Sequence, residues 1–266
     1  CYFFYFGISS KLNQTNIDRF TQSFKEQLET IIDYTSSINR SYLTASQINN
    51  IIKPDYLGKI QDNKEISGVY LANSLQQGFI YHALNQGEED TAYRVQLVFE
   101  YNNYIDDNLL HKAWQGAVNK YPALRLRFGW ENELVQIVDV KQDIFWHYLD
   151  LSYLPHTEQM VKLNELIQQD RQTHYDLAVG NLLRIYLIKH KPEHYSCLMS
   201  NHHAILDGWI SPILINFVHA LYLELLVVKD KPLELNRHLN QIKPEASYIA
   251  SQMYLQGNHP ATEKYW

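Results

Sequence analysis

Glycine is scarce in this chain of 266 residues, and its spacing excludes the common phosphate-binding loops. There are ten glycines, and the closest pair, Gly78 and Gly87, is nine positions apart. Both G-x-G-x-x-G and G-x-x-x-x-G-K need two glycines within five positions of each other. Neither motif can therefore occur, and a nucleotide held by a glycine-rich turn is excluded.

Cysteine and positive charge are also scarce. Cys1 and Cys197 are the only thiols, which is too few for a disulfide framework or a cysteine-based zinc site and is typical of a reducing cytosol. Lys and Arg total 23 against 29 Asp and Glu, a net charge of -6. A protein that neutralises phosphates needs the opposite sign. We therefore predict a cytoplasmic protein whose partners do not include nucleic acid.

No apolar run is long enough to cross a membrane. The longest, Pro212 to Val228, is interrupted by Asn216, His219 and Glu224 and falls short of the roughly 20 residues that a span requires. It predicts an amphipathic helix and no membrane partner. The chain begins with Cys1 and shows no signal-peptide pattern, so we expect it to lie within a longer polypeptide.

The first 66 residues differ from the rest. An aromatic run at Tyr2 to Phe6 predicts a strand, and apolar residues spaced by three and four predict a helix from Asn16 to about Thr35. Residues 36–68 are polar, with one short apolar set at Ile48, Ile51 and Ile52 followed by Pro54 and Gly58, and are interpreted as a linker that holds one short helix. A domain boundary is predicted near residue 67.

Beyond residue 67 the pattern alternates between helix and strand. Apolar residues spaced by three and four positions predict helices near 74–84, 107–121, 158–170 and 211–228, and another that starts near 245. Short segments that are apolar or that alternate apolar with polar residues predict strands near 93–101, 124–128, 135–138, 145–149, 182–189 and 195–200. This order indicates an α/β class, a mixed α+β two-layer sandwich.

Residues that can do chemistry are concentrated at His202 to Trp209. Two histidines end an apolar strand, Asp207 follows, and Gly208 is next to it. An imidazole can accept a proton from an attacking amine, and a glycine N–H can approach a developing oxyanion closely. The carboxylate of Asp207 can fix the loop by pairing with a cation, for which Arg125 is the first candidate. The loop is therefore suited to acyl transfer.

Other interpretations of these histidines must be weighed. A buried histidine is more often a core residue than a catalyst. A zinc site needs three or four ligands, and neighbours such as His202 and His203 point to opposite faces of a strand, so no metal site is predicted. A serine hydrolase is disfavoured because G-x-S-x-G is absent.

At these residues the chain resembles the condensation domains of nonribosomal peptide synthetases, relatives of chloramphenicol acetyltransferase. His202 to Trp209 matches their HHxxxDG motif. Further segments resemble family motifs in the same order, and they are residues 71–82 ("LSPLQEGMLFH"), 121–128 ("RHxxLRxxF"), 135–138 ("PxQVV"), 175–184 ("FDL...LLR") and 248–266 (ending in "YW"). The resemblance implies a chloramphenicol-acetyltransferase-like lobe.

The resemblance also implies a role for each residue of the motif. His203 is the active histidine, either as a general base or, as we favour, to position the acceptor amine, and Gly208 lines the reaction centre. His202 and Asp207 support the site. The family has a basic residue, His and Glu before "LR", where this chain has Lys120, Tyr121 and Pro122. The cation beside Asp207 is therefore expected to be Arg125 or, less favoured, Lys120.

The resemblance divides the chain into three parts. Residues 1–66 are similar to the tail of an epimerization domain, because Phe4 to Gly7 resembles "FNYLG" and Leu43 to Gln47 resembles "TPSDF". Residues 67–245 are expected to be the N-terminal lobe of a condensation domain, and 246–266 the start of the crossover to a second lobe. The "LQxG" and "DGW" forms are typical of condensation domains with a D-configured donor.

The implied reaction is peptide-bond formation between two carrier-bound thioesters. The expected partners are upstream and downstream peptidyl carrier proteins and neighbouring adenylation and epimerization domains. No cofactor is expected on the chain itself, because 4'-phosphopantetheine arrives on the carriers. Two alternatives stay open: an epimerization domain, and a noncatalytic carrier-docking lobe. With one lobe, the isolated chain is expected to be inactive.

Overall fold

A computed structural model describes residues 13–86 and 91–265 of the chain. Its contacts divide the chain into two compact units, Cys1–Tyr42 and Leu43–Trp266. The boundary between the units therefore lies 24 positions before the boundary predicted between residues 66 and 67, because residues 43–66 make their contacts with the second unit.

The described part of the first unit contains helix α1, Gln14–Ser37. The Asn13 side chain accepts a hydrogen bond from the Thr15 amide at 2.9 Å, which satisfies one of the amides left unpaired at a helix start. The helix predicted from residue 16 to about 35 is confirmed. The strand predicted at Tyr2 to Phe6 lies outside the described residues.

The second unit alternates helices and strands. Its helices are α2 (Pro54–Asp62), α3 (Ser74–Gln86), α4 (Asp107–Lys120), α5 (His156–Gln172), α6 (Ile210–Val227), α7 (Pro232–Gln241) and α8 (Ala246–Tyr265). Its strands are β1 (Ile66–Leu71), β2 (Arg94–Tyr101), β3 (Leu126–Gly129), β4 (Val135–Asp139), β5 (Phe145–Asp150), β6 (Leu183–Lys191) and β7 (His194–His202). Short 3-10 helices lie at Ala45–Ile48 and Pro122–Arg125. Among these elements α2, α7 and β1 were not predicted.

The strands form two sheets. One has the order β1-β4-β3 with antiparallel neighbours, and the other has the order β2-β7-β6-β5, in which only the β5–β6 pair is parallel. In the larger sheet β7 is a central strand, and its last residue, His202, lies opposite Arg94 of β2. The predicted mixed α/β class is confirmed.

Helices α4 and α6 pack against each other in the main hydrophobic core. Trp114, Leu110 and Val218 are fully buried there. At Gly116 a Cβ would lie 2.4 Å from Leu221 Cδ2, so a larger residue at this position would have to displace the Leu221 side chain. The expectation that no segment is long enough to cross a membrane is wrong for α6, which alone among the described helices has the required length and apolar composition. Its buried residues lie in this core.

The segment interpreted as a linker is largely folded. Its apolar residues form a second core against β1 and β4, made of Ile48, Ile52, Leu57, Ile66, Val69, Val135 and Ile137. The buried side chain of Gln61 makes two hydrogen bonds to the backbone of Leu43. It donates to the Leu43 carbonyl at 3.1 Å and accepts from the Leu43 amide at 2.6 Å. Pro54 does not break helix α2 because it occupies the first turn, where its missing N–H costs no hydrogen bond.

The segment around Arg125 differs from the predicted alternating strand. Residues Pro122–Arg125 form a 3-10 helix, and all four residues of β3 are buried on both faces. Arg127 lies in an ion pair with Asp139, with Nε and Oδ1 2.9 Å apart. Alternation of apolar and polar residues predicts a strand with one buried face. It fails for β3 because this strand is covered on both faces and buries the side chains of both.

Candidate functional site

The candidate site is the loop between β7 and α6. Two backbone hydrogen bonds hold its start: the His202 amide donates to the Leu182 carbonyl at 3.0 Å, and the His203 amide donates to the Tyr93 carbonyl at 2.8 Å. Because β7 is a central strand, the loop is anchored to the chain on both sides of it. The histidines are therefore on a rigid support.

Tyr93 contributes to the site although sequence reasoning missed it. Its φ of 60° is in the left-handed region, which is uncommon for an aromatic residue and has to be held by its surroundings. Its ring centroid lies 4.6 Å from that of Phe79 and 4.9 Å from that of His82. No short motif signals this residue, because its importance depends on contacts with α3 and the loop.

His202 is buried beneath the loop. Its Nδ1 accepts a hydrogen bond from the Ala204 amide at 3.1 Å, so this nitrogen carries no proton. Its ring makes T-shaped contacts with those of Phe79 and Tyr175, at centroid distances of 6.0 and 6.2 Å. The structure thus places His202 within the packing and not on the open side of the loop.

His203 is half-buried, and its ring stacks on Phe79 with centroids 5.5 Å apart. Its Nδ1 lies 2.9 Å from the Leu206 carbonyl oxygen. A carbonyl can only accept, so Nδ1 carries the proton and Nε2 of the neutral ring presents a lone pair. Such a ring can accept a proton or a hydrogen bond from a reacting group.

Asp207 is exposed, and its carboxylate stabilises the start of α6. Its Oδ1 accepts from the amides of Trp209 and Ile210, each at 2.9 Å, and its backbone carbonyl accepts from the Ser211 hydroxyl at 3.1 Å. A negative charge is favourable at this end of a helix. Asp207 therefore fixes the exit of the loop through backbone amides.

The expected pairing of Arg125 with Asp207 is wrong. Arg125 is buried with 2% of its surface exposed, and its guanidinium donates to the backbone carbonyls of Val118, Asn119 and Asp139. Burial lowers the pKa of this guanidinium, which the nearby Asp139 partly offsets. Among the described residues Asp207 has no ion pair, and its Oδ1 accepts from two backbone amides instead.

Lys120, the other expected cation, does not reach Asp207 either. Its Nζ lies 4.2 Å from the centroid of the Phe217 ring and 5.4 Å from that of Tyr121. These are cation–π distances. The structure therefore brings together His202, His203 and Asp207 and leaves both candidate cations elsewhere.

Gly208 has no structural need to be glycine within this chain. A Cβ at this position would meet nothing within 4 Å, and its φ lies outside the left-handed region. Its N–H has no hydrogen-bond partner among the described residues.

Two buried glutamines support the loop from below. Gln76 donates to the Ala204 carbonyl at 3.3 Å and lies 3.4 Å from Gln136 Oε1. Gln136 also accepts from the Tyr248 hydroxyl at 2.5 Å, which connects the loop to α8. Sequence reasoning did not single out Gln136, although a polar residue in a strand of buried apolar side chains is a usable signal.

A cavity of about 460 Å³ adjoins the loop. Leu206 of the loop lines it, together with the end of α4, the first turns of α6 and the start of α8. Within residues 13–86 and 91–265, no group of three or more His, Cys, Asp or Glu side chains could hold a metal ion.

Comparison with known proteins identifies the family. The model of the family described as "Condensation domain" matches residues 66–266. N-(5-amino-5-carboxypentanoyl)-L-cysteinyl-D-valine synthase of Penicillium rubens is 44% identical over 168 residues, 63% of this chain. Bacitracin synthase 3 of Bacillus licheniformis is 27% identical over 238 residues, 88% of this chain. The chain spans 4% of the length of each of these two relatives.

Solved structures share the fold. The starter condensation domain of rhizomide synthetase RzmA aligns with a TM-score of 0.53 and 20% identity, over 59% of this chain and 39% of that one. Holo-AB3403, a four-domain nonribosomal peptide synthetase bound to AMP and glycine, aligns with a TM-score of 0.52 and 20% identity, over 66% of this chain and 13% of that one. The predicted chloramphenicol-acetyltransferase-like fold is confirmed.

Proposed function

Because the chain belongs to the condensation-domain family of nonribosomal peptide synthetases, we propose that its second unit carries the reaction centre of a peptide-bond-forming acyltransferase, with His203 as the catalytic residue. The observation that carries this proposal is the hydrogen bond between His203 Nδ1 and the Leu206 carbonyl. It directs the lone pair of the neutral ring to Nε2, for which the described residues offer no partner.

In the proposed reaction the α-amine of a carrier-bound aminoacyl thioester attacks the carbonyl carbon of an upstream carrier-bound thioester. A C–N bond forms, the C–S bond breaks, and the proton lost by the amine ends on the released thiolate of the phosphopantetheine arm. His203 Nε2 accepts a hydrogen bond from the amine and so aims the nitrogen lone pair at the carbonyl carbon. A neutral imidazole suits this role because it also relays the proton.

Gly208 is proposed to serve the tetrahedral intermediate. Its N–H has no described partner and lies directly before the start of α6, where the helix dipole favours negative charge. His202 and Asp207 hold the two ends of the loop, as their hydrogen bonds to backbone amides indicate. Arg125 supports the site only through the fold.

The proposed partners follow from this chemistry. The thioesters are delivered by upstream and downstream peptidyl carrier proteins, whose 4'-phosphopantetheine arms are not cofactors of this chain. Neighbouring adenylation and epimerization domains are further proposed partners. The net charge of -6 disfavours nucleic acid.

The proposal also covers the configuration of the donor: the upstream thioester carries a D-configured residue at its reacting end. It rests on the "LQxG" and "DGW" forms and on the resemblance of residues 1–66 to the tail of an epimerization domain. Within that range, Leu43 to Gln47 belongs to the second compact unit, and Phe4 to Gly7 lies outside the described residues. Donors with L- or D-configured ends, loaded on the upstream carrier, would separate the two cases by their rates.

The test is single-turnover condensation by the full synthetase that contains this domain, with both carriers loaded. His203→Ala should lower the rate by about 10²- to 10⁴-fold, the usual contribution of a positioned proton acceptor. His156→Ala is the matched control, because His156 is exposed at the start of α5. An unchanged rate for His203→Ala would refute the proposal.

A noncatalytic carrier-docking role is the second candidate. Carrier binding by the full synthetase without condensation would support docking. Exchange of the substrate α-proton without peptide formation would instead support an epimerization domain.

A further inference from the structure

We propose that the cavity of about 460 Å³ beside the loop binds an apolar amino-acid side chain of one of the two thioester substrates. This inference rests on the proposed function and adds the substrate class to it. Binding pockets for small molecules have about this volume and are lined mainly by apolar side chains with a few polar groups.

The floor of the cavity is apolar. It is formed by Leu124, Leu206 and Leu214, each no more than 5% exposed. None of these side chains can compensate a charge or a hydrogen bond, so a charged group placed on this floor would lose its hydration without replacement. The floor therefore selects an aliphatic or aromatic side chain.

The rim of the cavity supplies the polar groups. Ser247 and Ser251 lie one helical turn apart on α8 and are exposed. Lys120 also lies on the rim, but its charge is placed over the Phe217 ring at 4.2 Å. The Glu245 amide donates to the Lys120 carbonyl at 2.8 Å, which joins the start of α8 to the end of α4.

The cavity is connected to the candidate site by the backbone. Leu206 contributes its side chain to the floor and its carbonyl to His203 Nδ1, at 2.9 Å. Ile210, which also lines the cavity, donates its amide to Asp207 Oδ1. A side chain seated in the cavity thus contacts the residues that orient the catalytic ring, so its fit should affect kcat as well as KM.

The experiment varies side-chain size in the full synthetase. One arm loads the acceptor carrier with alanyl, valyl, leucyl or phenylalanyl groups at a constant donor, and the other arm varies the donor in the same way. Ser251→Phe places a ring on the rim, and the control Ala250→Phe places the same ring on the adjacent exposed position of α8 that does not line the cavity.

We expect Ser251→Phe to lower kcat/KM for leucyl and phenylalanyl substrates by about tenfold or more in one arm, with alanyl substrates little affected and Ala250→Phe close to wild type. The affected arm identifies the substrate that enters. Ser247→Phe is a second rim variant, and thermal unfolding shows whether each variant is folded. If the wild-type synthetase forms peptide and kcat/KM depends on side-chain size in the same way in both rim variants, the inference is wrong while the proposed function stands. If wild type forms no peptide, the proposed function fails.

Discussion

The Leu206 carbonyl and His203 Nδ1 are 2.9 Å apart, so a main-chain atom three residues along the loop selects the tautomer of the ring. Because the acceptor belongs to the backbone, no side-chain substitution at position 206 removes it. The orientation of His203 depends instead on the path of the loop, which Asp207 fixes at the far end. This arrangement leads to the first prediction.

Asp207→Ala should impair both stability and activity, whereas Asp207→Asn should preserve most of each. The alanine variant leaves the amides of Trp209 and Ile210 without their acceptor, a loss of about 1 kcal/mol in the free energy of unfolding. Asparagine keeps a side-chain oxygen for these amides. Urea denaturation and single-turnover condensation check both variants. Equal damage from Asn and Ala would show that the charge of Asp207, and not its capping role, is what matters.

Arg125→Met should destabilise the fold by about 3 kcal/mol or more. The substitution leaves the buried carbonyls of Val118 and Asp139 and the part-buried carbonyl of Asn119 without their donor, and each buried unsatisfied group costs about 1 to 3 kcal/mol. Urea denaturation measures the change. Arg237→Met is the control, because Arg237 is exposed on α7 and should change stability by less than about 0.5 kcal/mol. Equal stability of the two variants would contradict the observed role of Arg125.

Gly→Ala substitutions at Gly116 and Gly208 should differ in their effect on stability. At Gly116 the new Cβ would lie 2.4 Å from Leu221 Cδ2 and 2.9 Å from Ile242 Cδ1, so overpacking should cost about 1 to 3 kcal/mol. At Gly208 nothing lies within 4 Å, so the fold should be unaffected. Thermal unfolding distinguishes them. A slower condensation by a fully stable Gly208→Ala variant would locate a close substrate contact at that position.

Stability should fall as the pH is lowered below about 6.5, with His190 as one cause. His190 is buried, and burial first and the nearby His194 second lower its pKa from the ordinary value. The folded state therefore holds this ring neutral while the unfolded state takes up a proton. The stabilisation is complete above the unfolded pKa of about 6.5 and is lost as the pH falls from there through the lower folded pKa.

Urea denaturation at pH 7.5 and pH 5.5, two values on either side of about 6.5, measures this loss. His190→Gln should be less stable at the higher pH, because the ring nitrogens of His190 lie 3.1 Å from Gln159 Oε1 and 2.8 Å from Ser196 Oγ. Its stability should, however, change less with pH than that of wild type. The pKa values of His111 and His219 are also lowered by burial, so a part of the pH dependence should persist. An unchanged pH slope in the variant would contradict the assignment.

The regular elements were predictable where their pattern is local. Helix α4 carries apolar residues on one face between an Asp106 cap and Pro122, and it was predicted correctly. Helix α2 was missed because Pro54 and Gly58 resemble breakers, although Leu57 is buried in the second core. The local signal favoured a linker, and contacts with β1 and β4 decided for a helix.

The sequence by itself determined the family and the loop that carries the candidate chemistry, because His202 to Trp209 are consecutive and need no long-range contact to be brought together. Only the tertiary structure decided where the charged and polar partners lie. Arg125 donates to carbonyls of α4 and β4, and Gln136 accepts hydrogen bonds from Gln76 of α3 and Tyr248 of α8. These pairings join residues up to 112 positions apart, and burial of polar groups, which a linear pattern does not specify, selects among them.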